Sequence, residues 1–302
     1  MNDDLDVYLY NNNQKGSLVT YTTSNGGNIA NMIPGTTYYW ESKTDSTKYG
    51  VITATGERRT IKSTIRNVRD LGGMSVSYTD LNTNQPVTGT INYGRLYRGA
   101  QITSGQTGIN ELTKLGITRE IDLRQTGDGN TGQAKLSNYD DDQNPISSKR
   151  DIVMTNYLVN PTATPYITTE NLAEYRKVKN ALRKTMEYVV NGDNIYFHCT
   201  IGSDRTGTLA YFLEGLLGVS EEDRLRDYEI SYFYGLTSRT RFHDYIATSQ
   251  INPRFESMYK SYPTNQDIYN YYTYERYEPT GNELDDDQLL TAFRNAMINK
   301  NS

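Results

Sequence analysis

Residues 195–219 constrain the fold and the chemistry of this chain more than any other stretch. They read I-Y-F-H-C-T-I-G-S-D-R-T-G-T-L-A-Y-F-L-E-G-L-L-G-V. An apolar run of β type ends at His198-Cys199, a loop closes on Arg205, and an apolar run of helical length begins near Gly207. We therefore expect a buried strand, a tight loop and a helix N-terminus in direct succession.

The loop has the composition of an anion site. Main-chain N–H groups that curl at the start of a helix face a common point and lie at the positive end of the helix dipole. The guanidinium of Arg205 adds a planar pair of donors that can hold two oxygens of a phosphate group. The candidate phosphate ligands are Thr200, Ile201, Gly202, Ser203 and Arg205.

Cys199 lies at the centre of this positive loop. A positive environment favours the thiolate, which is the nucleophilic form of cysteine. The hydroxyl of Thr206 can donate a hydrogen bond to that thiolate, while Gly202 and Gly207 permit a close backbone approach. The loop therefore predicts a cysteine nucleophile directed at phosphorus.

The loop resembles that of the Cys-x5-Arg protein tyrosine phosphatases, above all the bacterial tyrosine and phosphoinositide phosphatases that read H-C-x-x-G-K-D-R-T-G. Further similar stretches follow the family's order at residues 66–73 (R-N-V-R-D-L-G-G), 94–100 (G-R-L-Y-R-G-A), 117–124 (I-T-R-E-I-D-L-R) and 227–231 (D-Y-E-I-S). The resemblance covers about residues 60–300. It implies a phosphatase that acts through a cysteinyl-phosphate intermediate.

The resemblance also assigns roles to individual side chains. Asp204 matches the candidate general acid of the close relatives, whereas other branches place the acid on a separate loop, here at Asp128. His198 would fix the loop and its cysteine, and Arg69 and Asp70 would brace the loop from outside. The catalytic candidates are Cys199, Arg205, Asp204 and Thr206.

Ser203 departs from the family pattern, because the close relatives carry lysine there and associate it with phosphoinositide-like substrates. We therefore expect hydrolysis of phosphomonoesters with phosphotyrosine as the first choice. Phosphoinositides or inositol phosphates are the second choice and phosphoserine the third. The alternative function is a phosphate-recognition module that binds phosphorylated partners without turnover.

Composition limits the cofactors and partners. The net charge of −5 argues against nucleic acid or an anionic membrane as a broad partner, and the apolar runs are too short for a transmembrane helix. One cysteine and two histidines give neither a disulfide nor a typical metal ligand set. We expect no cofactor and, as partner, a phosphorylated protein or a small phosphomonoester. The oligomeric state is open.

Residues 1–58 predict a separate β-rich unit before a catalytic domain at 59–302. Short β-branched and aromatic runs occur at 6–10, 17–23, 36–40 and 49–55. The sequence I-P-G-T-T-Y-Y-W within this unit is similar to fibronectin type III modules, which implies a partial module acting as a spacer. That likeness favours an extracellular or surface-displayed bacterial protein, with a cytoplasmic location as the alternative.

The catalytic domain is expected to be α/β, with a parallel sheet and flanking helices. A helix opening near residue 168 carries an apolar stripe and precedes the strand at 195, which gives the helix–strand–loop–helix order of a doubly wound fold. The stripe consists of Leu172, Tyr175, Val178, Leu182, Met186 and Val189. Residues 125–150 predict a long loop beside the site.

Overall fold

The N-terminal part of the chain is antiparallel β-structure. The computed structural model describes residues 4–12, 14–59, 61–103, 105–124, 167, 172–234 and 253–301. The first strands are β1 (Leu5–Asn11), β2 (Gln14–Leu18), β3 (Thr23–Asn25), β4 (Asn28–Ala30), β5 (Thr37–Ser42) and β6 (Tyr49–Thr53). Four of them form a sheet in the order β2-β1-β5-β6, and β3 pairs with β4. The predicted β character is confirmed, and the likeness to a fibronectin module stays a prediction.

The single strand predicted over residues 17–23 is wrong. Strand β2 ends at Leu18, and the next apolar side chains of the run turn into a small core formed with residues of β1 and β5. Val19 is 7% exposed and packs with Val7 and Tyr38, while the hydroxyl of Tyr21 lies 3.0 Å from that of Tyr38. Burial in this small core outweighs the β propensity of the run.

The second part of the chain alternates strands and helices. Its strands are β7 (Arg69–Asp70), β8 (Ser75–Thr79), β9 (Pro86–Ile91), β10 (Leu96–Gly99), β11 (Arg119–Asp122), β12 (Ile195–His198) and β13 (Ile298–Lys300). Its helices are α1 (Gln106–Lys114), α2 (Leu172–Val190), α3 (Asp204–Leu217), α4 (Glu221–Glu229), α5 (Pro253–Ser261), α6 (Asn265–Tyr272) and α7 (Asp286–Met297), with a 3₁₀ helix at Ile230–Tyr234. The mixed α/β class is confirmed.

The central sheet has the strand order β11-β12-β10-β7. Strand β12 runs parallel to both β10 and β11, whereas the two-residue strand β7 pairs antiparallel with β10. The sheet is therefore mixed at one edge rather than parallel throughout. A second sheet, β13-β9-β8, brings the C-terminal strand against the β8–β9 hairpin.

Both faces of the central sheet are covered. Along β12, Ile195 and Phe197 belong to the larger core with α2, α3, α6 and α7, whereas Tyr196 belongs to a smaller core with α1. All four residues of β12 are buried. A strand buried on both faces reads as a continuous apolar run, which is the pattern that residues 195–197 carry.

The helix predictions for this part of the chain hold where the structure describes them. Of the predicted apolar stripe, Leu172 is half-buried and the other five residues are buried on α2. Ser220 is the N-cap of α4, and its side chain accepts a 3.2 Å hydrogen bond from the main-chain N–H of Asp223. None of the described helices is both long and apolar enough to span a bilayer.

Candidate active site

The candidate loop lies at the carboxyl end of the parallel strands. Cys199 follows β12 directly, and α3 begins at Asp204. In the register of the sheet, His198 is level with Gly99 at the end of β10 and with Asp122 at the end of β11. The carboxyl edge of an open α/β sheet is where such folds place their ligands.

Two glycines let the loop pack against its surroundings. Gly202 has φ +74°, and a Cβ there would lie 2.3 Å from the carbonyl carbon of Gly99. A Cβ at Gly207 would lie 2.6 Å from a ring carbon of Tyr228. Any larger residue at Gly202 would therefore push the loop away from β10.

Two buried side chains hold the loop from behind. The amide Nδ2 of Asn67 donates to the carbonyl oxygen of Gly202 at 2.9 Å. The guanidinium of Arg98 donates to the same carbonyl at 3.1 Å and to that of Ser203 at 3.3 Å. These contacts fix the peptide planes on which the direction of the loop N–H groups depends.

Arg98 belongs to a charge cluster centred on the buried carboxylate of Asp227 in α4. That carboxylate accepts from Arg69 at 3.0 Å, from Arg58 at 3.1 Å and from Arg98 at 2.5 Å. Burial would raise the pKa of Asp227, but the three guanidinium groups hold it well below its ordinary range. Burial, with repulsion from Arg98, lowers the pKa of Arg69 to about 10. At neutral pH the cluster therefore carries excess positive charge beneath the loop.

Arg69 and Asp70, the two residues predicted to brace the loop, make different contacts in the structure. Arg69 donates to Asn67 and Asp227 and so supports the residues that hold the loop. Asp70 is buried and accepts from Arg59 at 3.1 Å and from the N–H groups of Gly72 and Gly94. Arg69 is thus one contact removed from the loop, and Asp70 stabilises neighbouring turns.

His198 and Cys199 are both buried, with Cys199 2% exposed. The Nδ1 of His198 lies 3.1 Å from the carbonyl oxygen of Cys199, and its Nε2 lies 2.6 Å from the carboxylate of Glu120 in β11. The imidazole is therefore held on both sides. It connects the loop to the neighbouring parallel strand.

Arg205 lies across the mouth of the loop. Its guanidinium donates to the carbonyl oxygen of Leu123 at 3.2 Å and approaches the hydroxyl of Thr200 at 3.5 Å. Arg124 forms a 2.8 Å ion pair with Asp122 beside it. Burial would raise the pKa of Asp122, but hydrogen bonds from Arg124 keep it below its ordinary value. Asp122 and Arg124 thus neutralise each other, and Arg205 is the loop's own cation.

Asp204 is the first residue of α3 and is half-buried. Its Oδ1 accepts a 2.9 Å hydrogen bond from the hydroxyl of Tyr228. The hydroxyls of Ser203 and Thr206 are buried and have no hydrogen-bond partner among the described residues. The bond predicted from Thr206 to the sulfur of Cys199 is therefore not formed here.

The remaining predictions for the site concern Asp128 and metals. Asp128 and the rest of residues 125–150 lie outside the described residues. Within the described ranges, histidine, cysteine and carboxylate side chains form no group of three or more that could hold a metal ion.

Several residues that shape the site were not predicted from the sequence to position the loop or its side chains. They are Asn67, Arg98, Glu120, Asp227 and Tyr228. All five lie inside stretches that matched the family pattern, so their place in those motifs was the signal that could have singled them out. Glu120 is a buried carboxylate beside the apolar Ile121 in the same strand.

The comparisons with known proteins agree with this geometry. The model of the tyrosine phosphatase family matches residues 62–288. A protein of Cupriavidus necator named "Putative tyrosine-protein phosphatase" is 27% identical over 172 residues, which are 55% of this chain and 60% of that protein. The match therefore spans less than two thirds of that relative. Because the family model covers most of the chain, including the whole loop, the chain belongs to the tyrosine phosphatase family.

Proposed function

We propose that this protein hydrolyses phosphomonoesters with Cys199 as the nucleophile and phosphotyrosine or a related aryl phosphate as the substrate. The observation that carries the proposal is the fixed loop between β12 and α3. Asn67 and Arg98 hold its carbonyl groups from behind, which leaves a helix N-terminus and Arg205 around the cysteine. The name of the Cupriavidus necator relative supports the same reaction class.

The reaction has two steps. The thiolate of Cys199 attacks phosphorus, the bond to the leaving oxygen breaks, and the carboxylic acid of Asp204 protonates that oxygen. Water then attacks the cysteinyl-phosphate, Asp204 accepts the water's proton, and the sulfur–phosphorus bond breaks to release inorganic phosphate. Arg205 exchanges the carbonyl of Leu123 for phosphate oxygens, and the loop N–H groups stabilise the charge on the transferring group.

The loop favours a substrate with a single phosphate. Ser203 takes the place of the lysine found in the similar loops, and its side chain is fully buried. It therefore brings no second cation to the substrate. Phosphoinositides and inositol phosphates remain the second substrate class, and a competition assay between them and a phosphotyrosine peptide distinguishes the two.

One observation favours the alternative of phosphate recognition without turnover. The residue Cys199 is 2% exposed, and Arg205 donates a hydrogen bond to the carbonyl of Leu123. A loop that stayed in this state would present its N–H groups to a phosphate without releasing a nucleophile. Turnover decides between the two functions.

The test is hydrolysis of p-nitrophenyl phosphate and a phosphotyrosine peptide in reducing buffer with a chelator. We expect the wild type to turn over and Cys199→Ser to be inactive while it still binds tungstate. Asp204→Asn should lose about 100-fold or more in kcat/KM on the phosphotyrosine peptide, whose leaving oxygen needs a proton, and less on p-nitrophenyl phosphate. Asp223→Asn is the matched control, because Asp223 also lies in the first turn of a helix, where its carboxylate accepts from the N-cap Ser220 at 2.8 Å and from Arg226 at 3.1 Å. If the wild type binds tungstate but hydrolyses neither substrate, the protein is a phosphate-recognition module and the proposed enzymatic function is wrong.

A further inference from the structure

We propose that Tyr228 is the positioning residue for the general acid. The inference rests on the proposed function, in which Asp204 protonates the leaving oxygen. The phenol of Tyr228 donates a 2.9 Å hydrogen bond to Oδ1 of Asp204, from α4 to the first residue of α3. It is the contact through which α4 reaches the predicted acid.

The ring of Tyr228 is held firmly enough to direct its hydroxyl. It is fully buried and stacks on Phe255 of α5, with the ring centroids 3.6 Å apart and the planes at 6°. Its edge lies against Gly207, where a Cβ would come within 2.6 Å of the ring. The ring is thus confined between the start of α3 and α5. Its hydroxyl can reach Asp204 only from this one direction.

A fixed donor on Oδ1 sets the orientation of the carboxyl group. A carboxyl group can rotate about its Cβ–Cγ bond, and a hydrogen bond to one of its oxygens restricts that rotation. With Oδ1 engaged, the other oxygen takes a defined direction, and proton transfer to a leaving group requires such a defined geometry. Tyr228 does not touch phosphorus or the nucleophile in this scheme, so its effect passes through Asp204.

The side chain of Tyr228 offers a clean substitution. Tyr228→Phe removes the hydroxyl and keeps the ring that stacks on Phe255. Tyr211→Phe is the matched control, since Tyr211 is equally buried in α3 and donates its hydroxyl to the carbonyl of Tyr262 at 3.1 Å. Both variants lose one buried, bonded hydroxyl, but only the first loses a bond to Asp204.

The readout is the dependence of kcat/KM on the leaving group. p-Nitrophenolate leaves readily without a proton, whereas the phenolate of phenyl phosphate needs one. We expect Tyr228→Phe to lose about tenfold in kcat/KM on phenyl phosphate and little on p-nitrophenyl phosphate. Tyr211→Phe should change both substrates by the same small factor. In an Asp204→Asn background, Tyr228→Phe should have no further effect.

Two results would overturn the inference alone: equal losses of Tyr228→Phe on both substrates, or a full additional loss in the Asp204→Asn background. Either result would show that Tyr228 has a purely structural role. The proposed function would stand, because the wild type still hydrolyses aryl phosphates. A wild type inert towards p-nitrophenyl phosphate would instead overturn the proposed function and this inference with it.

Discussion

The side-chain amide of Asn67 lies 2.9 Å from the carbonyl oxygen of Gly202, which connects the turn before β7 to the candidate phosphate loop. Asn67 also donates to the hydroxyl of Ser231 at 3.1 Å and has φ +62°, in the left-handed region that asparagine tolerates better than most residues. One residue therefore supplies both the backbone turn and the loop contact. Substitutions can separate these two contributions.

Replacing Asn67 by glycine or by alanine should have the same effect on catalysis and different effects on stability. Both variants lose the bond to Gly202, so we expect kcat/KM to fall about tenfold in each. Alanine must also adopt a positive φ. The free energy of unfolding of Asn67→Ala should therefore be about 1 kcal/mol lower than that of Asn67→Gly. Urea denaturation and initial rates measure the two effects. Equal stability of the two variants would show that the turn relaxes.

Replacing Asp227 by asparagine should strongly destabilise the protein. Without that carboxylate, the guanidinium groups of Arg69 and Arg98 stay buried without their shared counter-charge, and removal of one partner from a buried charge cluster costs about 3–5 kcal/mol. Urea unfolding at pH 7 measures this loss. Glu222→Gln on the same helix is the control, because Glu222 is exposed and its 3.3 Å ion pair with Arg226 lies at the surface. A loss below about 1 kcal/mol for Asp227→Asn would mean that the arginines reach solvent or another anion.

The order strand, loop and helix could be predicted because its signals are local. A continuous apolar run gives the buried strand β12, the helical spacing of apolar residues gives α2, and Ser220 marks the start of α4. In each case the residues that indicate the element lie within it or directly beside it in sequence. Short-range physical chemistry suffices for such elements.

The support of the loop could not be predicted from local pattern because its partners are distant in sequence. Asn67 and Gly202 are 135 residues apart, and Asp204 and Tyr228 are 24 residues apart on different helices. Nothing in the local sequence of Asn67 or Tyr228 reveals which group it will meet. The end of strand β2 within the run at 17–23 could not be predicted for the same reason. The packing partners of Val19 come from other strands.

Glu214 in α3 should make the stability of the protein depend on pH. It is fully buried, neither carboxylate oxygen has a hydrogen-bond partner among the described residues, and burial together with the negative charge of Asp227 raises its pKa well above 4.5. Below pH 4.5 Glu214 is protonated in both states. Above it the unfolded state releases the proton and the folded state keeps it, so the free energy of unfolding falls as the pH rises.

Glu214→Gln removes this proton and with it the contribution of Glu214 to the pH dependence of stability. The variant should gain stability relative to the wild type by about 1.4 kcal/mol per pH unit above pH 4.5, until the folded pKa of Glu214 is reached. Urea unfolding of both proteins at half-unit steps from pH 4.5 to 8 measures the difference. Parallel stability curves would show that Glu214 ionises in the folded protein as it does in the unfolded chain.

Asn31 connects the N-terminal β-structure to the segment that precedes β7. Its side chain accepts a 2.6 Å hydrogen bond from the N–H of Lys62, and its carbonyl accepts from the buried guanidinium of Arg59 at 3.1 Å. Arg59 in turn donates to Asp70. These contacts connect the N-terminal β-structure to Arg59 and Lys62 and, through Arg59, to Asp70 of β7.

Asn31→Ala should therefore cost more stability than its local conformation explains. Asn31 has φ +63° and is 6% exposed, so the variant loses the bonds to Lys62 and also strains the backbone, for about 2 kcal/mol in total. Asn84→Ala is the matched control, since Asn84 has φ +55° on an exposed turn and should lose about 1 kcal/mol from strain alone. Urea unfolding of both variants measures the difference. Equal losses would mean that the contacts of Asn31 add nothing, and that the β-rich unit is a spacer whose contact with the segment before β7 does not contribute to folding.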